Sequence, residues 1–388
     1  MNPSDFTDSS PGTLVQTPES IWAFVPDPLP PPVDFSTRIW QRLSAADLAV
    51  GQLSGVGRML ANPHLMVGPF LRREAVLSSR IEGTVTNLRQ LLMYEAAPTI
   101  QPQPSDISEV SNYVSAMGYG LDRLDNLPFS LRLIRELHGR LLHGVRGQEN
   151  RIGEFRTIQN YIGGYSRGTI DARYVPPPVE QMNQAMNELE AFIHEPTDLP
   201  FLIQLAMIHY QFEAIHPFAD GNGRIGRLML SLLMCDKGYL PQPMLYLSAY
   251  FEKHRDEYMD RLLRVSQVGD WENWIAFFLD AVAEEATEAT RRSQDLQDLQ
   301  QSFRDNLQTR RSSALTLRLV DLLFEAPVIT MRAVRERLEV TARTAQLQIN
   351  RLIDAGILVE ATGQSRNRAY ITPAILEIFQ TDQIDGEV

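Results

Sequence analysis

HPFADGNGRIGR, His216–Arg227, lies between two of the most apolar stretches of the chain, Phe201–Ala214 and Gly223–Lys237. His216 and Pro217 end the first of these helices and place an imidazole at the edge of a loop. Its ordinary pKa near neutrality suits a general base. Phe218 points back into the core and fixes the loop. Asp220 offers one hard carboxylate, as Mg²⁺ held on phosphates requires. Gly221, Asn222 and Gly223 let the backbone approach a ligand and open the second helix, whose free N-terminal amides form an anion site. Arg224 and Arg227 stand three apart and share a face, and their guanidinium forks suit phosphate oxygens. A Gly-rich turn with solvated arginines is the bland alternative. It does not account for His, Asp, Gly-Asn-Gly and paired Arg held between two buried helices. No Lys-Ser/Thr follows the glycines, so this is not a Walker loop. The stretch reads as a nucleotide-phosphate site.

Outward from it, the chain reads as mainly α. Apolar positions recur at three- and four-residue spacing in Leu43–Leu60, Phe70–Ser79, Thr84–Glu95, Asp106–Leu124, Leu131–Leu142 and Val179–His194. Phe155–Gly164 and Ala172–Pro178 have strand composition around YSRGTID and read as a β-hairpin over 155–178. Trp271–Phe303 begins apolar and turns polar, which predicts one long helix leaving the core as an exposed connector. From Arg311 the order helix, helix, helix, hairpin predicts a small α+β winged helix-turn-helix domain over 311–380, with Thr330 and Thr341 as N-caps and Gly356 as a stop. Residues 1–35 form a polar, Pro-rich N-terminal segment. Its first 20 residues are expected to fray, and Phe24–Phe35 serves as a strap or a linker.

His216–Arg227 resembles the signature of the Fic (Fic/Doc) family, HPFx(D/E)GNGRxxR, at every defining position. Residues 36–300 would then form a Fic-type helical bundle, with the hairpin upstream of the signature as the family's flap. The resemblance implies transfer of AMP from ATP to a Ser, Thr or Tyr hydroxyl of a protein, the chain itself included. By position, His216 would deprotonate the target and Asp220 would hold Mg²⁺ on the α- and β-phosphates. Gly221, Asn222, Gly223 and Arg224 would cradle phosphate, and the flap would hold the target extended as an added strand. Arg227 and Tyr258 are counted with the nucleotide-binding residues. Ser78-Ser79-Arg80-Ile81-Glu82-Gly83 matches the family's inhibitory pattern (S/T)xxxE(G/N). A helix around 70–83 would then set Ser78, Glu82 and Gly83 beside the site, with Glu82 on Arg227 as a built-in brake. The same Glu82 is a candidate to orient a water that removes AMP.

The 388 residues are 44% hydrophobic and 22% charged with a net charge of −12, an ordinary soluble composition. The acidic balance argues against coating nucleic acid or anionic membrane through bulk charge. One cysteine, Cys235, excludes an internal disulfide and a Cys-rich zinc site. No apolar run approaches a membrane span and the start lacks a signal-peptide pattern, so the chain is read as cytosolic and free of membrane. Residues 311–388 carry 9 Arg and no Lys against 10 Asp plus Glu. Arg343, Arg351, Arg366 and Arg368 are the DNA-contact candidates, but that balance sets protein contact slightly ahead of DNA. A homodimer is a further expectation, giving Glu82 a regulatory input. Two alternatives stay open: a winged-helix regulator using the Fic domain as a nucleotide sensor, and transfer or removal of another nucleotide.

Overall fold

Strand-forming alternation near the N-terminus overrides the polar composition there. In the computed structural model, which describes residues 1–59, 63–97, 105–145, 151–163, 165–166, 169–170, 172–309, 313–364 and 368–380, β1 (Gly12–Gln16) and β2 (Trp22–Pro26) pair antiparallel, Thr13 opposite Val25. Residues 1–20 are therefore not frayed. Ala23 and Phe24 are buried, Phe24 N donates to Val175 O at 2.9 Å, and Thr7 N donates to Gln267 O at 2.9 Å.

The bundle follows: α1 (Thr37–Met59), α2 (Pro63–Ile81), α3 (Leu88–Ala96), α4 (Ser105–Leu124) and α5 (Leu131–Leu141). Asn87 and Gln90 close a capping box at α3, which moves its start past the Thr84 expected from periodicity. Between α5 and the next helix stand β3 (Tyr165–Ser166) and β4 (Thr169–Ile170), paired antiparallel. Behind them a single Ile162–Tyr174 bridge joins the two segments expected as strands, so the paired strands of this short flap lie within the stretch read as the connecting loop, and Phe155–Gly164 and Ala172–Pro178 otherwise carry no strand among the described residues. Then come α6 (Val179–His194), α7 (Phe201–Ile215), α8 (Asn222–Asp236), α9 (Ser248–Lys253) and α10 (Arg255–Val268). Every residue of α7 except Glu213 is buried, as its all-round apolar sequence requires.

α11 (Trp271–Thr309) is one helix of 39 residues, but it is not an exposed connector. Val282, Ala289, Leu296 and Phe303 recur every seven residues and are all buried. That heptad stripe continues into the polar half of the helix and packs on its neighbours, with α1 lying along α11. The C-terminal part adds α12 (Ala314–Glu325), β5 (Val328–Thr330), α13 (Met331–Leu338), α14 (Ala342–Asp354), β6 (Val359–Glu360), β7 (Ala369–Ile371) and α15 (Pro373–Gln380). Its sheet order is β5-β7-β6. Thr330 and Thr341 cap α13 and α14 through their side chains. α12 and α15 pack on α2 and α11, and Phe379 meets Phe70 of α2 edge-on at 5.0 Å. Among the described residues no helix is long and apolar enough to cross a membrane.

Candidate active site

His216 caps α7 in the left-handed region, φ +52 and ψ +61. This conformation turns the chain sharply out of the helix and costs a non-Gly residue about 1–2 kcal/mol. The imidazole is half-buried, and its Nδ1 lies 3.3 Å from the Glu213 carbonyl. A carbonyl only accepts, so Nδ1 carries the proton and Nε2 keeps its lone pair. Burial pushes the His216 pKa down to about 4, with the Glu213 hydrogen bond opposing, so the ring is neutral at pH 7.

The loop after it is braced from below by a histidine outside the signature. His138 of α5 stacks on Phe218 with centroids 3.8 Å apart. Gly153 N donates to His138 Nδ1 at 3.0 Å, which leaves the proton on Nε2 to donate to Asp220 O at 3.1 Å. Burial lowers His138 to about 4, so this tautomer persists at neutral pH. Phe218 is fully buried, as expected. Gly221 caps α8 at φ +77, a value only glycine adopts freely.

Asn222 departs from expectation. Its Oδ1 accepts from Phe218 N and its Nδ2 donates to Phe218 O, each at 2.8 Å. The side chain is spent on the loop, so only its backbone amide remains for a ligand. Asp220 is the most exposed of the set, with its side chain 49% accessible and Oδ1 taking Gly221 N at 2.6 Å. Among the described residues no cluster of three metal-ligating side chains occurs. A single open carboxylate beside an anion site fits a magnesium ion that takes its other ligands from phosphates and water.

Both signature arginines are buried and carry carboxylate partners. Arg224 Nη1 lies 3.3 Å from Glu109 Oε2 of α4 and Nη2 lies 3.7 Å from Asp220 Oδ1. Arg224 Nε is buried without a hydrogen-bond partner, a donor suited to a phosphate oxygen. Arg227 Nε donates to Ser78 Oγ at 2.9 Å and Nη2 to Ser78 O at 2.8 Å. Nη2 also meets Glu82 Oε1 at 2.7 Å. Burial alone would raise the Glu82 pKa, but Arg227, with Arg224 and His216 adding, brings it below the usual carboxylate value. Glu82 lies directly over Gly223 at the N-terminus of α8, where a Cβ would collide with its carboxylate. Gly83 follows at φ +92 and ends the α2 turn.

Two further residues complete the picture. Glu213 carries a buried, unpartnered Oε1, and burial, with Glu82 nearby, pushes its pKa up to about 8. It is the single charged residue of the apolar α7, the signal that could have flagged it. Tyr258, expected at the nucleotide, is instead a core residue. It is 1% exposed, its ring stacks on Phe251 at 4.4 Å, and its hydroxyl bonds His209 Nε2 at 2.7 Å. Its ring is enclosed by Phe251, Trp274 and His209, leaving no face for a base. His209, Trp271 and Trp274 are buried in the core.

Residues 40–122 match the Fic/DOC family N-terminal model and residues 128–234 the Fic/DOC family model. The chain belongs to the Fic family. A protein adenylyltransferase Fic from Aedes aegypti is 34% identical over 153 residues, 39% of this chain and 27% of the relative. One from Culex quinquefasciatus is 32% identical over 155 residues, again 39% and 27%. The aligned part thus spans about a quarter of these curated relatives. A Fic family protein from Desulfovibrio desulfuricans G20 shares the fold, with a TM-score of 0.55 and 18% identity over 89% of this chain and 98% of that one.

Proposed function

We propose that the chain is an autoinhibited adenylyltransferase that moves AMP from ATP to a Ser, Thr or Tyr hydroxyl of a protein, its own chain included. The observation that carries this reading is the neutral His216, with Nε2 unprotonated, set beside the N-terminal amides of α8 and two buried arginines. His216 Nε2 takes the proton of the target hydroxyl. The freed oxygen attacks the α-phosphorus, the bond to pyrophosphate breaks, and the charge of the leaving group falls on Arg224 and the amides of Gly221, Asn222 and Gly223. Magnesium held by Asp220 would neutralise further charge on that group.

The Glu82–Arg227 contact supports the brake. A carboxylate over Gly223 occupies the position a terminal phosphate would take, and its charge repels one. Arg227 is 1% exposed at its side chain and Glu82 is 35% exposed, so Glu82 is the partner free to leave. Departure would restore the anion site without rebuilding it. The C-terminal part is read as a winged helix that docks protein. Of its DNA candidates, Arg343 is exposed, while Arg351 turns inward to within 3.4 Å of Ser313 and Gln348. Arg368 folds back on Gln364 O at 2.8 Å, and Arg366 lies outside the described residues. Leu347 stands 50% exposed on α14, between Arg343 and Arg351 in sequence, which suits a protein partner better than a phosphate backbone.

The test is isotopic. Glu82→Gly incubated with Mg²⁺ and ATP should take up label from the α-phosphate and none from the γ-phosphate. Label from the γ-phosphate would mean phosphoryl transfer and would overturn the reading.

A further inference from the structure

Arg156, in the segment that leads into the flap, is 3% exposed, and among the described residues it pairs with no carboxylate. Its cation is met entirely by carbonyl oxygens. Nε donates to His216 O at 2.9 Å, Nη1 to Ile158 O at 3.0 Å and Nη2 to Pro177 O at 2.5 Å. Its own backbone N donates to Pro217 O at 2.8 Å. Ile158 lies on the segment entering the flap and Pro177 on the segment leaving it, with the Ile162–Tyr174 bridge beyond. One side chain therefore touches both feet of the flap and the peptide that follows the candidate base.

We propose that Arg156 is a positioning residue that fixes the His216 backbone and the two feet of the flap as one unit, so that a target strand seated on the flap meets the base at a set distance. A non-Gly residue stays in the left-handed region only where its surroundings over-determine it. Here the peptide between His216 and Pro217, and the next carbonyl, are both held by Arg156. The planar fork makes this possible, because three divergent N–H groups reach three separate carbonyls. A lysine in the same place reaches one of them at a time. The anion site has its own supports: Asn222 holds Phe218, His138 holds Asp220, and Ser78 holds Arg227. Loss of Arg156 therefore separates the base from the nucleotide rather than emptying the site.

This inference rests on the transferase reading above, and its experiment has two arms that fail separately. In the Glu82→Gly chain, Arg156→Lys should slow AMP incorporation roughly 10- to 100-fold, the cost of a misplaced reacting group. Affinity for MgATP, read by calorimetry, should change less than about 2-fold, since the phosphate-binding residues keep their supports. In the wild-type chain, amide hydrogen exchange should rise together in 156–163, 172–178 and 216–219, with α2 and the body of α7 unchanged. Arg156→Gln, which keeps the packing stem without the charge, should give the same pattern. Exchange that rises in one of those segments alone, or throughout α2 and α7 as well, would overturn the joint. So would a loss of MgATP affinity in proportion to the loss of rate. If Glu82→Gly itself transfers nothing, the transferase reading has failed, and the exchange pattern alone decides the joint.

Discussion

At the scale of single residues, the site is built from side chains whose charge state is set by burial and whose geometry is set by backbone partners. Asn222 illustrates the second point. Its residue type matches a phosphate ligand, yet both polar atoms serve Phe218. Asn222→Ala should leave the buried Phe218 N–H without a partner, while the Phe218 carbonyl keeps Asn160 Nδ2 at 2.7 Å, and cost about 1–3 kcal/mol, read as a lower thermal midpoint. Unchanged stability would return Asn222 to the ligand. The residues that carry charge or lone pairs toward the site were legible because their types and spacing are rare together. His138, Arg156, Glu109 and Glu213 were not, because their roles are contacts across 60 residues or more of chain or side chains turned inward, and neither leaves a local pattern.

At the scale of elements, α2 is the part that would give the proposed brake its character. Glu74, Ser78 and Glu82 stand four residues apart and form one stripe along or just beyond the helix. Glu82 meets Arg227, Ser78 meets Arg227 twice, and Glu74 accepts from Ser248 and Tyr113 in the core. Glu74 thus ties α2 to the start of α9 and to α4. Removing that acceptor with Glu74→Ala should destabilise the chain by on the order of 2 kcal/mol, and Glu74→Gln by less. Ser78→Ala should loosen Arg227 from α2 and give AMP incorporation between wild type and Glu82→Gly, measured under one set of conditions. The helices themselves were readable from periodicity. The long α11 was misread because the buried face of its polar half includes Glu285, Arg292 and Ser293 beside Ala289, Leu296, Phe303 and Leu307, so the apolar signal alone is too thin to register against the charges around it. The N-terminal hairpin was missed because its few apolar residues, Ala23 and Phe24 above all, are buried by the segment leaving the flap and not by each other.

For the whole molecule, pH dependence follows from five buried groups. His138 and His216 are pushed down to about 4 and His209 to about 3, each mainly by burial. The folded chain keeps them neutral, so the stability they contribute is present above about 6.5 and is lost as pH falls toward 4. Burial raises Glu74 and raises Glu213 to about 8, which works the other way: their contribution declines as pH rises above about 4.5. Three histidines outweigh two carboxyls between about 4.5 and 6.5, and above that the raised carboxyls alone set the slope. Thermal midpoints should therefore peak near pH 6.5, and Glu213→Gln should flatten the decline toward pH 8. A midpoint that climbs steadily to pH 8 would contradict these assignments. The C-terminal part shares this molecule's core, with α12 and α15 seated on the same α2 that leads to the proposed brake. The central claim is that a base at His216 transfers AMP under restraint by Glu82. Its most direct test is the intact mass of wild type, Glu82→Gly and Glu82→Gly/His216→Ala after incubation with Mg²⁺ and ATP. The account predicts one added AMP on Glu82→Gly, little on wild type and none on the double variant. Equal gain with and without His216 would contradict it.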